Sequence, residues 1–233
     1  MPLREPVAVA GPSSRSVQGR AIRSWVYSAP SAPSTRSGQA EERTVLFLGG
    51  IHGDEPAGVP LCQALRGYLA RHPEALAARR VVVAAAVNPD GLTARTRTNA
   101  RGVDVNRNFA ARNRTNGRRH GPRALSEPET RFVAELIRRF RPAAIVTIHQ
   151  AATCVDHDGP ALALARAMSR ACGLPVRKLG AYPGSLGSYA GVDLGIPVIT
   201  LELTAAASRR DEAALWGKYG RALLVAIRLT GVD

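Results

Sequence analysis

The chain has 233 residues, a length that suits one domain and buries roughly 70–75% of its unfolded surface without help from disulfides or a structural metal. Its 45% apolar and 21% charged residues exclude a disordered, collagenous or coiled-coil chain, and apolar runs such as Val81 to Val87 fall well short of the ~20 residues that span a bilayer. The charge is +14, yet only Lys178 and Lys218 of the 32 basic residues are lysine. An arginine-for-lysine bias with abundant Ala, Gly and Pro is what a GC-rich genome yields without any ligand, so no nucleic-acid partner is inferred from charge alone.

A single domain over 1–233 is expected, with about 1–18 as an irregular N-terminal segment. That segment has no apolar stretch long enough for a secretory signal. Cys62, Cys154 and Cys172 are odd in number and unpatterned in spacing, which reads as reduced thiols in a cytoplasmic protein. Ile22 to Tyr27 and Thr44 to Leu48 are predicted strands, separated by the Pro/Ser-rich loop Ala29 to Gln39. A helix follows over Pro56 to Leu69, with Val59, Leu61, Leu65 and Leu69 on its apolar side. Val81 to Val87 is a buried strand closed by the turn Asn88-Pro89-Asp90-Gly91. Ser126 and Glu129 have the spacing of a capping box for a helix that stops before Pro142. Ala143 to Ile148 is a strand, Ala161 to Cys172 a helix, Pro197 to Leu203 a strand and Glu212 to Leu229 the last helix. Apolar strands alternating with helices imply an α/β fold with a largely parallel sheet covered on both faces. Sites in such sheets gather beyond the carboxyl ends of the strands.

Three of these strands carry or lead into polar groups that packing would not choose. Thr44 to Leu48 runs into Gly49-Gly50-Ile51-His52-Gly53-Asp54-Glu55, Ala143 to Ile148 ends in His149, and Glu202 lies between Leu201 and Leu203. His52, Glu55 and His149 make the open three-ligand set of a catalytic zinc. A carboxylate inside an apolar strand is costly unless it is paired or employed, and a hydrolase of this kind needs a general base, which Glu202 supplies. In Arg97 to Phe109, Asn106 beside Arg107 forms a carboxylate clamp. Arg97 suits an oxyanion, and Asp104 suits the second nitrogen of a metal-bound imidazole. From Arg107 to Arg123 there are six arginines and no acid, which fits an anionic substrate or a solvated loop.

Taken together, Gly19-Arg20, GGIHGDE (Gly49 to Glu55), NPDG (Asn88 to Gly91), GVDVNRNF (Gly102 to Phe109), SEPET (Ser126 to Thr130), TIH (Thr147 to His149) and TLEL (Thr200 to Leu203) resemble the zinc carboxypeptidase family. The resemblance implies a mixed, mostly parallel eight-stranded sheet and one zinc on His52, Glu55 and His149. It also implies Glu202 as the base that later protonates the leaving amine, Arg97 on the oxyanion, and Asn106 with Arg107 on the substrate's terminal carboxylate. HGDE, SEPET and PGSLGSY (Pro183 to Tyr189) resemble the family's murein peptide amidases. These imply a small murein tripeptide as substrate, cut at its γ-D-glutamyl–meso-diaminopimelate bond. Asp54, or another acid near the site, is then expected to meet the distal ammonium. The family's digestive enzymes have an arginine where Asp54 stands, and their substrate-covering tyrosine matches neither Tyr182 nor Tyr189 by spacing, so that role stays unassigned. The other substrate readings are an N-acyl amino acid, as for aspartoacylase-type deacylases, and an ordinary peptide. A basic, non-catalytic nucleic-acid-binding protein is the reading from another class.

Overall fold

The computed structural model describes residues 7–28 and 43–230, so the Pro/Ser-rich loop at 29–39 lies outside the described residues. Its strands are β1 (Val7–Arg15), β2 (Ala21–Ser28), β3 (Thr44–Leu48), β4 (Arg80–Ala84), β5 (Ala144–Gln150), β6 (Cys154–Asp158) and β7 (Val198–Leu203). Its α-helices are α1 (Gly58–Arg71), α2 (Pro89–Ala94), α3 (Pro128–Phe140), α4 (Leu162–Cys172) and α5 (Glu212–Leu229). None of the described helices is long and apolar enough to cross a membrane.

The strands form one sheet in the order β1-β2-β4-β3-β5-β7-β6. The central four, β4-β3-β5-β7, are parallel, and antiparallel pairings flank them on both sides. Side-chain alternation divides the core between two faces. Val45, Phe47, Val146 and Leu201 pack toward α1, α4 and α5, while Leu46, Leu48, Ile145 and Val198 pack toward α3. Burial on both faces is why β3 and β4 read as unbroken apolar runs.

Seven strands stand among the described residues where the family resemblance implies eight. Outside β6, Val176 forms a single parallel bridge to Val155. Pro175 just before it has no N–H to extend a ladder. The expected irregular start is also corrected, because 7–15 is an edge strand. Its register shifts between Ala10 and Ser13, around Gly11-Pro12, and an edge or bulge is where a strand tolerates proline.

Two predicted local features take another form. The turn at Asn88 is instead the N-cap of α2, where the Asn88 side chain accepts the Gly91 N–H at 2.9 Å. The capping box of α3 does not form. Glu127 is the N-cap and Pro128 the first helical residue, so the helix starts without a side-chain cap. Glu129 is drawn away to the Asn99 amide at 2.9 Å.

The motif stretches turn out to grip one another. Asp90, in NPDG, accepts from Ser16 Oγ at 2.8 Å, the Gln18 N–H at 2.9 Å and Arg20 at 2.7 Å. Burial opposes the Asp90 charge, but these donors prevail and hold its carboxyl below the ordinary range. A depressed carboxylate contributes stability above its unfolded pKa and loses it as pH falls through the folded one. Asp90→Asn therefore lowers the melting temperature by roughly 4–8 °C at neutral pH, on about 2 kcal/mol for charged hydrogen bonds. In thermal melts the gap from wild type narrows below about pH 4; a gap that is constant with pH would contradict this account. SEPET does similar work on the next loop, since Asn99 donates to both Glu127 and Glu129 at 2.8 and 2.9 Å. That anchors the Arg97–Arg107 segment against α3.

Candidate active site

β3, β5 and β7 point their carboxyl ends at one cavity of ≈ 230 Å³, lined by His52, Glu55, Arg97, Asn106, Arg107, His149 and Glu202. Four chain segments thus deliver all seven residues assigned from the sequence to metal binding, catalysis and the carboxylate clamp. His52 and Glu55 sit in the loop from β3 into α1. This loop is seated tightly, because a Cβ on Gly53 would lie 1.9 Å from the Gly91 carbonyl carbon. His149 and Glu202 face each other in the β5–β7 register, and the Gln150–Ala151 peptide after His149 is cis.

His52 Nε2 lies 3.0 Å from Asp104 Oδ1. With the proton on Nε2, bonded to Asp104, the Nδ1 lone pair turns inward. There it meets Glu55 Oε1 at 3.0 Å and His149 Nδ1 at 3.1 Å, while His149 Nδ1 lies 2.8 Å from Glu55 Oε2. The three residues are buried, and one ligand atom from each lies within 4.8 Å of the others. Two imidazole nitrogens and a carboxylate directed at one point, with an acid fixing one imidazole's tautomer, form the donor set that zinc takes.

Charges around this centre are balanced by specific partners. Burial raises the Glu55 carboxyl, but bonds from His149 and His52 outweigh it and keep it well below the ordinary range. The Asp104 carboxyl is likewise held low against burial, by His52, Arg97 and Arg107. Arg97 donates to Asp104 Oδ2 at 2.9 Å and to Glu55 Oε1 at 3.0 Å, so the guanidinium stands beside the ligand set. Glu202 makes no bond to the ligands and accepts the Ala152 N–H at 3.1 Å.

Across the cavity, Asn106 Oδ1 accepts the Leu186 N–H at 2.8 Å, and Arg107 donates to the Asn106 carbonyl at 2.7 Å. Burial and the nearby Arg97 lower the Arg107 pKa, and a bound anion would offset both effects. The two tyrosines left open by the sequence separate here. Tyr182 lines the cavity and lies over the Arg107 guanidinium at 4.7 Å, whereas Tyr189 stacks on Phe109 at 5.7 Å. The arginines of 107–123 serve partly as loop braces. Arg114 donates to the His120 and Gly121 carbonyls at 2.9 and 2.8 Å.

The expectation of Asp54 or another acid near the site narrows to another acid. Asp54 is exposed and does not line the cavity; it turns outward from a loop whose inward positions belong to His52 and Glu55. Besides Glu55 and Glu202, the acids that line it are Asp156 and Asp158 on β6. Sequence reasoning missed them because it missed the strand: Cys154-Val155-Asp156-His157-Asp158 shows no apolar alternation and reads as a loop.

A model of the zinc carboxypeptidase family matches residues 11–157. The chain belongs to this family. It is a hydrolase, and zinc is the family's metal. Murein peptide amidase A of Escherichia coli strain K12 is 35% identical over 194 residues, 75% of this chain and 76% of that protein. The enzyme of that name from Vibrio campbellii is 31% identical over 177 residues, 68% of each. The crystal structure of a murein-tripeptide amidase from Escherichia coli O157 superposes with a TM-score of 0.72 at 30% identity, covering 94% of this chain and 92% of that one. Carboxypeptidase A from Helicoverpa armigera shares the fold, with a TM-score of 0.78 at 19% identity over 98% and 69% of the two chains.

Proposed function

We propose that this family member is a zinc-dependent amidase that releases diaminopimelate from murein peptides by hydrolysing the γ-D-glutamyl–meso-diaminopimelate bond. The convergence of a His-Glu-His set, an unligated carboxylate and a carboxylate clamp on one small cavity carries this reading. Similarity to the murein peptide amidases directs it to this substrate. Three buried free cysteines agree with a reducing compartment, so we place the activity in the cytoplasm, on peptides recovered from the wall.

Zinc held by His52, Glu55 and His149 would supply Lewis acidity to the scissile carbonyl and make water easier to deprotonate. The chain's own groups do the rest. Glu202 takes a proton from the attacking water as the C–O bond forms, then passes it to the departing amine as the C–N bond breaks. Arg97 stands where negative charge develops on the carbonyl oxygen. Asn106 and Arg107 hold the carboxylate next to the new amine, and Tyr182 covers that clamp.

The test is incubation of zinc-loaded protein with L-Ala-γ-D-Glu-meso-diaminopimelate, read by mass spectrometry for the free diamino acid. N-acetyl-aspartate, N-succinyl-glutamate and blocked dipeptides form parallel arms. Diaminopimelate release is the expected result; preferential cleavage in another arm would overturn the substrate assignment. Arg107→Ala removes up to two charge-assisted bonds, so kcat/KM for the tripeptide falls about 10- to 100-fold, mainly through KM. Steady-state kinetics checks this, and an unchanged KM would contradict the clamp.

A further inference from the structure

The far half of the Arg107–Arg123 run borders a second cavity, of ≈ 690 Å³, which shares no lining residue with the active site. Arg101, Arg118 and Arg123 line it, with Val103 and Pro122 as an apolar wall and Glu127 at the start of α3. Volumes of roughly 300–1,000 Å³ are typical of small-molecule sites.

The arginines of this region divide by use. Arg114 is committed to the His120 and Gly121 carbonyls, and Arg107 to the Asn106 carbonyl and Tyr182. The side chains of Arg118 and Arg123 have no hydrogen-bond or ion-pair partner among the described residues. Arg101 reaches only Glu127 Oε2, at 3.5 Å. Glu127 is the one acid among the lining residues, and its carboxylate already accepts from the Asn99 amide and the Ser126 hydroxyl, each at 2.8 Å. No Asp or Glu occurs in the sequence from 105 to 126. Three guanidiniums therefore face one engaged carboxylate, and the cavity carries an excess of positive charge.

The loop that presents these arginines is held in place by the fold. Asn108, fully buried, donates to the His120 and Arg123 carbonyls at 2.8 Å each and accepts the Glu127 N–H at 3.1 Å. The Asp104 N–H donates to the Arg119 carbonyl at 2.9 Å. Gly121 adopts a φ of +73°, and a Cβ there would lie 2.6 Å from Ser126 Oγ. Backbone carbonyls thus turn inward onto a buried asparagine, while the Arg118 and Arg123 side chains stay free at the rim. A loop fixed in this way loses little freedom when a ligand arrives, which favours affinity.

We propose that this cavity binds the phosphate group of a small phosphate ester, at a site separate from catalysis. Guanidinium forks from three positions suit the several oxygens of a phosphate dianion better than a single planar carboxylate. The cavity exceeds what a bare phosphate fills, and Val103 with Pro122 offers the ester's organic part an apolar wall. Arg101 and Val103 belong to the segment that carries Asp104, Asn106 and Arg107, so the ligand rests against the back of the catalytic segment. The site does not depend on which bond the enzyme cuts.

Calorimetry on the zinc-loaded protein tests this with AMP and glucose 6-phosphate, two esters that share only the phosphate. Adenosine, citrate and a ten-residue oligothymidylate form parallel arms. At least one ester should bind once per chain with a Kd below about 1 mM, adenosine should not bind, and citrate should be about 10-fold weaker or more. Arg118→Ala combined with Arg123→Ala should weaken the ester about 10-fold or more. R166A/R170A, which removes the same charge from exposed positions on α4, should change it no more than about twofold. R107A should retain the affinity, which separates this cavity from the active site. The Arg118 and Arg123 side chains make no bond that the fold would miss, so R118A/R123A should melt within a few degrees of wild type. Absence of ester binding, binding that survives R118A/R123A, an equal loss in R166A/R170A, or equal affinity for citrate or adenosine would overturn the site. Oligothymidylate bound more than about 10-fold tighter than either ester would assign these arginines to a nucleic-acid strand instead.

Discussion

Glu202→Gln retains one zinc per chain and loses on the order of 10³-fold in kcat. The substitution is isosteric, and the amide oxygen still accepts the Ala152 N–H that fixes the side chain at 3.1 Å. What disappears is a group able to take a proton from water and return it to the amine. None of the bonds that tie His52, Glu55 and His149 together involves Glu202, so metal content measured by elemental analysis stays at wild-type level. Loss of zinc in this variant would assign Glu202 to the ligand set and refute its place as the base.

His149→Ala removes both zinc and activity at a modest cost to the metal-free fold, because Glu55 loses its bond to His149 but keeps His52, Arg97 and the Gln150 N–H. The His149 Nδ1 faces only His52 and Glu55, and its Nε2 is buried without a partner. The ring therefore contributes little to the architecture beyond the centre it helps to form. Two remaining ligands hold zinc far more weakly than three, and kcat falls to the uncatalysed background. Elemental analysis and melts of the metal-free proteins check both parts. A large drop in the melting temperature of the metal-free variant would show that His149 is structural.

The candidate site was legible in the sequence because its residues break the pattern around them. His149 and Glu202 interrupt apolar strands, and His52 with Glu55 follows one directly. No packing rule predicts such residues, so chemistry is the remaining reason for them. Arg97, Asp104, Asn106 and Arg107 were readable for a different reason, being concentrated in one polar segment between two elements. β6 was not readable because a polar edge strand of five residues looks like a loop. With it went Asp156 and Asp158, which line the cavity from that strand, Asp156 by lying opposite Thr200, a pairing no local pattern encodes. The capping box failed on tertiary grounds. Glu129 has the right spacing to Ser126, yet a buried amide on Asn99 competes for it and wins. Several stretches that resemble the family carry architecture rather than chemistry, as the grip of Arg20 on Asp90 shows.

The position of β6 at the sheet's rim divides the supports of the cavity. His149 and Glu202 hang from interior strands, where a backbone shift would be felt on both faces. Asp156 and Asp158, which also line the cavity, hang from the outer strand β6. Substitutions at that rim can therefore reshape the cavity wall without moving the interior strands. The loop that carries His52 and Glu55 is instead fixed by the close approach of the Gly53 and Gly91 backbones. The shape of the cavity wall and the position of the His-Glu-His set thus depend on different parts of the same sheet.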